Sequence, residues 1–158
     1  MSRRPEPKTS VLFVCLGNIC RSPMAEGALR AAAEEAGLDL RVDSAGTANY
    51  HVGDPPDPRA IAATARAGVD IAHLRGRQLC KEDFFAFTDI FALDAANLAD
   101  IRARMPADAT ARVSLLLEAA HGQPAEVSDP YYGDDAGFSA CWDEVNHAAK
   151  ALVTRYAR

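Results

Sequence analysis

The stretch CLGNICRS gathers Cys15, Gly17, Asn18, Cys20, Arg21 and Ser22 into one short run, followed by Pro23. Two cysteines this close could be core packing, metal ligands, a redox pair, or a nucleophile with its neighbour. The C-x5-R-S spacing has a physical purpose. A loop of about eight residues can wrap its backbone N–H groups around one tetrahedral oxyanion. A helix starting at Pro23 points its positive end at the same place. In this reading Gly17 supplies backbone freedom and Asn18 tolerates the left-handed region while tying the loop with its amide. Leu16 and Ile19 give apolar edges. Arg21 can grip two oxygens with its fork. Cys15, at the floor, is expected to favour thiolate, and Ser22 could donate to its sulfur. The site would hold a dianion with a nucleophile in line. A tetrahedral zinc site is not expected. Cys15 and Cys20 lack a second ligand pair at suitable spacing, and His51, His73, His121 and His147 are well separated.

A thiolate attacking a phosphate ester needs a proton donor for the leaving oxygen. The best candidate is Asp129 in SDPYYGDD, held extended by Pro130, with Tyr131 and Tyr132 after it. Turn initiation is the plain alternative for that Asp-Pro. Asp134 and Asp135 read as loop charge or helix-start residues.

These residues need a scaffold. Val11–Val14 reads as a buried parallel strand, followed by a helix over Pro23–Ala36 that stops at Gly37. Further strands are expected at Leu40–Ser44, Asp89–Leu93 and Ala111–Leu116. Helices are expected at Pro58–Ala67, Lys81–Phe87, Asp94–Arg104 and Ala136–Tyr156. Ala45–Pro56 and most of Glu118–Gly133 read as loop. Strands alternating with helices imply an α/β fold, a parallel sheet with helices on both faces. Ligands then bind at the carboxyl ends of strands near a topological switch point, where Cys15 lies.

The 158 residues suit a single domain over 9–158, with 1–8 as a flexible N-terminal tail. A net charge of −5 argues against nucleic acid as a partner. No apolar run reaches the length for a membrane span, and the N-terminus lacks a signal-peptide pattern. Four scattered cysteines do not make a disulfide framework, so a reducing cytoplasm is the default. Export by a non-classical route stays open. So does oligomeric state, with a monomer as the default.

VLFVCLGNICRSPMAEG closely resembles the active-site loop of low-molecular-weight protein tyrosine phosphatases, and DPYYGD resembles their general-acid loop. DSAGT, DPRA, GVDIAHLRGRQL and LDAANLADI look like further family segments, in order from about Val11 to the end. The resemblance implies a four-stranded twisted parallel sheet with a phosphate-binding loop after the first strand. It implies a two-step reaction through phosphocysteine on Cys15, with Asp129 as acid and then base. Arg21 and the loop N–H groups would stabilise the equatorial oxygens. Asn18, Ser44 and His73 would form the network that shapes the loop. No metal or organic cofactor is implied. The substrates implied are phosphotyrosine-containing proteins or small aryl phosphates, with Tyr50, Tyr131 and Tyr132 as pocket walls.

Three rivals remain. A related branch removes phosphate from arginine and tends to carry Thr where this chain has Ile19, which suits a phenyl ring better. A thiol-dependent arsenate reductase needs more resolving cysteines than Cys80 and Cys141 provide, and Cys141 reads as core. A redox-sensing anion module could use Cys15 and Cys20, but it would not require Asp129.

Overall fold

The computed structural model describes residues 9–158. The expected tail, residues 1–8, lies outside them. The chain runs β1 (Ser10–Cys15), α1 (Arg21–Glu35), β2 (Arg41–Gly46), α2 (Pro58–Arg66), α3 (Asp83–Ala86), β3 (Asp89–Ala92), α4 (Ala95–Arg104), β4 (Arg112–Leu115), α5 (Leu116–His121) and α6 (Asp135–Tyr156).

The four strands form one parallel sheet in the order β2-β1-β3-β4. From β1 the chain goes first to one side, to β2, and then crosses to the other, to β3. The reversal makes a crevice at the carboxyl end of β1, the place where open α/β sheets bind ligands.

Every residue of β1 is buried, because both of its faces are covered. Side chains alternate along a strand. Val11, Phe13 and Cys15 join the core against α1 and α6, while Leu12 and Val14 join the core with Phe84, Ile90 and Ile101. Each large apolar side chain buried this way contributes about 1.5–3 kcal/mol. The helices therefore flank both faces of the sheet. Among the described residues no helix is long and apolar enough to cross a membrane.

Three helices start on an aspartate that accepts a backbone N–H: Asp57 from Arg59, Asp94 from Asn97 and Asp134 from Gly137. The start of α1 is different, for its N-cap Cys20 makes no side-chain cap bond. α1 begins just after the loop that leaves the carboxyl end of β1, and its first-turn N–H groups have no partner within the helix.

The expected strand over Ala111–Leu116 ends one residue early, and the stretch after it is not all loop. Leu116–His121 is the helix α5. LLEAAH is a run of good helix formers. It closes on Gly122, whose φ of 82° is the left-handed conformation that ends many helices. Leu116 and Leu117 are both buried there.

Candidate active site

The loop after β1 is anchored by its carbonyls. Those of Cys15, Leu16 and Ile19 accept from the N–H groups of Thr47, Ala48 and Asp57, at 2.9, 2.9 and 2.8 Å. A trans peptide sets N–H opposite C=O. The N–H groups of Leu16, Gly17 and Cys20 therefore face away from these anchors. The approach of β2 is close enough to require glycine at its end. A Cβ on Gly46 would lie 2.7 Å from the Leu16 carbonyl oxygen.

The left-handed position in the loop falls on Asn18, with φ 58°, and not on Gly17. Gly17 matters for space instead, since a Cβ there would meet the His51 ring at 3.1 Å. Buried Asn18 ties three segments together. Its Nδ2 donates to Ser22 Oγ at 2.8 Å and to Ser44 Oγ at 3.0 Å. Its Oδ1 accepts from the Arg77 N–H at 3.0 Å, which fixes the orientation of the amide.

This orientation sets the direction of the chain of bonds. Both hydroxyls already accept from Asn18. The Ser44 proton goes to Glu26 Oε1 at 2.7 Å. Ser22 Oγ lies 3.0 Å from Cys15 Sγ, and toward a thiolate, which has no proton to give, the Ser22 hydroxyl is the donor. Glu26 is buried, and burial pushes its carboxyl above the ordinary range, opposed by the bonds from Ser44 and Arg30. Arg30 closes the line with a 2.6 Å bond to Glu26 Oε2.

His73 is not part of this arrangement. It is exposed, in the segment between α2 and α3, and makes no hydrogen bond to Asn18 or Ser44. Ser44 instead donates to the Glu26 carboxylate, and the Asn18 side-chain carbonyl oxygen accepts from the Arg77 backbone N–H.

Arg21, in the first turn of α1, is 3% exposed. Its Nη1 donates to Asp94 Oδ2 at 2.7 Å and to the Val127 carbonyl at 2.8 Å, and Nη2 lies 3.6 Å from Asp129 Oδ2. Burial works against its charge, but the Asp94 bond, with Cys15 and Asp129 nearby, holds the guanidinium above its ordinary value. Asp94 thus serves twice. Oδ1 caps α4 at 2.7 Å while Oδ2 anchors Arg21.

Cys15, Leu16, Gly17, Ile19, Cys20 and Arg21 line one cavity of about 210 Å³. Tyr50, His51, Asp129, Tyr131 and Tyr132 complete it. The structure thus brings Asp129 and three tyrosines to the loop from distant parts of the chain. Asp129 stands on the rim, its side chain 45% exposed, and its Oδ1 accepts from the Tyr131 N–H at 3.1 Å. Tyr132 is 94% exposed, so it is an outer wall. Burial pushes the pKa of the Cys20 thiol up, and Asp57 adds to the shift. Cys141 is core, and Cys80 is exposed beside Asp83. Glu26, His51, Asp94 and Arg77 are the members that the sequence alone did not single out.

The family model for low molecular weight phosphotyrosine protein phosphatase matches residues 10–158. The chain belongs to the low molecular weight phosphotyrosine protein phosphatase family. A relative of that name from Schizosaccharomyces pombe is 47% identical over 136 residues, covering 84% of this chain and 86% of the relative. The crystal structure of a low molecular weight phosphotyrosine phosphatase from Vibrio cholerae superposes with a TM-score of 0.86 at 35% identity, covering 95% of this chain and 97% of that one. A Drosophila arginine phosphatase superposes equally well, with a TM-score of 0.86 at 32% identity, covering 94% of this chain and 98% of that one. The same scaffold is thus found in solved structures named for two different phosphorylated residues.

Proposed function

We propose that this phosphatase hydrolyses phosphotyrosine through a phosphocysteine intermediate on Cys15. The supporting observation is that one cavity holds Cys15, the Arg21 guanidinium and Asp129, with tyrosine walls above them.

The phosphoryl group sits over Cys15, with its equatorial oxygens on Arg21 and on the loop N–H groups freed by the outward carbonyls. The sulfur attacks phosphorus in line, and the bond to the phenolic oxygen breaks. Asp129 gives its proton to that oxygen. The Ser22 hydroxyl, aimed at Sγ, stabilises the sulfur when it leaves again. Asp129, now a carboxylate, takes a proton from the water that attacks the phosphocysteine, releasing inorganic phosphate. Phosphotyrosine-containing proteins and small aryl phosphates fit this cavity.

Removal of phosphate from arginine is the rival reading, supported by the arginine phosphatase neighbour. Ile19, 9% exposed in the cavity lining, presents hydrocarbon to the substrate and favours a phenyl ring over a guanidinium. Initial rates on phosphotyrosine, phosphoarginine and phosphoserine peptides, with arsenate reduction alongside, test the choice in wild type and Cys15→Ser. Preference for phosphotyrosine, lost in Cys15→Ser, is expected. Preference for phosphoarginine would replace the tyrosine reading, and turnover surviving in Cys15→Ser would remove the mechanism.

A further inference from the structure

The residues around Asp129 have little regular structure to hold them. The segment between α5 and α6 is without helix or strand, and its internal bonds are short-range: Tyr131 N–H to Asp129, and Gly133 N–H to the Pro130 carbonyl at 2.8 Å. Val127 fastens one end, through its N–H to the Leu93 carbonyl and its carbonyl to Arg21. A general acid must keep within hydrogen-bond reach of the leaving oxygen. A rim loop free to swing would not keep it there.

Arg59, in the first turn of α2, reaches across to this loop. Its Nη2 donates to the Tyr131 carbonyl at 2.9 Å and its Nη1 to the Gly133 carbonyl at 3.1 Å. The rest of the fork is held from behind by Asp57, with Nε to Oδ1 at 3.1 Å and Nη2 to Oδ2 at 3.0 Å. The guanidinium also lies 4.4 Å from the centroid of buried Phe138 on α6. Asp57 is itself joined to the nucleophile's loop, because its N–H donates to the Ile19 carbonyl at 2.8 Å. One line of contacts therefore runs Ile19, Asp57, Arg59, Tyr131 and Gly133. It links the loop that carries Cys15 to the loop that carries Asp129.

We propose that Arg59 is a positioning residue for the general acid, clamping the Asp129 loop at a fixed height over the Cys15 loop. The proposal rests on the phosphatase reading above. Arg59 does not line the cavity and touches no reacting atom. Its effect passes through the Tyr131 and Gly133 carbonyls. Arginine is needed because several donors in one rigid plane must meet a carboxylate on one side and two carbonyls on the other. A lysine ammonium cannot span them.

The test is the dependence of kcat/KM on leaving group. An ester with a good leaving group, p-nitrophenyl phosphate, needs little protonation, whereas phenyl phosphate needs the acid. For Arg59→Met, kcat/KM on phenyl phosphate should fall about tenfold, a share of the range typical of general-acid catalysis, and the fall on p-nitrophenyl phosphate should stay under about threefold. Combined with Asp129→Ala, Arg59→Met should cost no more than about twofold further on phenyl phosphate, as expected for two residues acting as one unit. Arg59→Lys, which keeps charge and stem, should show the same bias at smaller size, and carries the test if the Met variant does not fold. Equal losses on both esters, or losses that multiply in full with Asp129→Ala, would overturn the clamp. A wild type inactive on both esters would instead overturn the phosphatase reading beneath it.

Discussion

Replacing Asn18 by alanine perturbs the centre of the loop in a way the structure makes calculable. Three side-chain hydrogen bonds disappear, to Ser22, Ser44 and the Arg77 N–H. Each is worth about 0.5–1.5 kcal/mol net, with more at stake where a partner is left unpaired out of water. Alanine must also adopt the left-handed backbone at φ 58°, at roughly 1–2 kcal/mol. Together these give about 2.5–6.5 kcal/mol of lost stability, a large part of the ~5–15 kcal/mol that holds a domain of this kind. At this chain length that is a fall in Tm of roughly 5–26 °C. Asn18→Gly loses the same bonds but not the backbone strain, so it should recover about 1 kcal/mol. Urea unfolding of the three proteins measures both gaps, and kcat on an aryl phosphate reports whether the Ser22 proton is still directed at the sulfur. Asn18→Ala within about 1 kcal/mol of wild type would refute the claim that this amide ties the loop.

Three other outcomes follow from the same geometry. Arg21→Lys cannot bridge Asp94, the Val127 carbonyl and a phosphoryl group at once, so kcat should fall about 10²–10³-fold; steady-state assay checks it, and a loss under about fivefold contradicts it. Hydrogen bonds from the Arg59 side chain, with the Arg59 backbone N–H adding to them, hold the Asp57 carboxyl below the ordinary aspartate range. A carboxyl depressed in the folded state stabilises the fold above its unfolded pKa and loses that contribution as pH falls through the folded one. Asn caps a helix as well as Asp does, so the stability gap between wild type and Asp57→Asn, read from urea unfolding, should be widest near neutrality and shrink in acid. Mild peroxide should join Cys15 to Cys20, two thiols reducing one peroxide to two waters, with activity restored by added thiol; peptide mass mapping that finds only overoxidised Cys15 contradicts this.

Much of the site was legible because it is local. Cys15, Asn18, Arg21 and Ser22 lie close together where β1 passes into α1, and that strand and helix have plain signatures. Asp129, which the structure places in the cavity beside Arg21, stands out in the sequence because the proposed thiolate attack calls for an acid and Asp-Pro-Tyr-Tyr offers a carboxyl on a stiff turn. What the sequence concealed depends on packing between distant segments. Glu26 looks like one solvated charge on an alanine-rich helix, and it is buried only because α1 lies over Ser44 of β2. Asp94 reads as a helix start, which it is, but its second oxygen reaches an arginine 73 residues earlier. Arg59 sits in DPRA with no local sign of carbonyls 72 and 74 residues away. His73, which the resemblance places in the loop network, is exposed, and Asn18 and Ser44 bond instead to Ser22, Glu26 and the Arg77 N–H. The helix α5 does not stand out in the sequence although Gly122 marks its end, because a six-residue element carries too short a period to separate from loop.

The central claim is covalent chemistry at Cys15, and trapping the intermediate tests it most directly. On the proposed mechanism Asp129→Ala should slow the second step by removing the base, so a quenched reaction with p-nitrophenyl phosphate should accumulate phosphoenzyme. Intact mass should show a gain of one phosphoryl group, peptide mapping should place it on Cys15, and Cys15→Ser should show neither phosphocysteine nor turnover. Rapid turnover with no phosphoryl group on the protein, or with the group on another residue, would contradict the account.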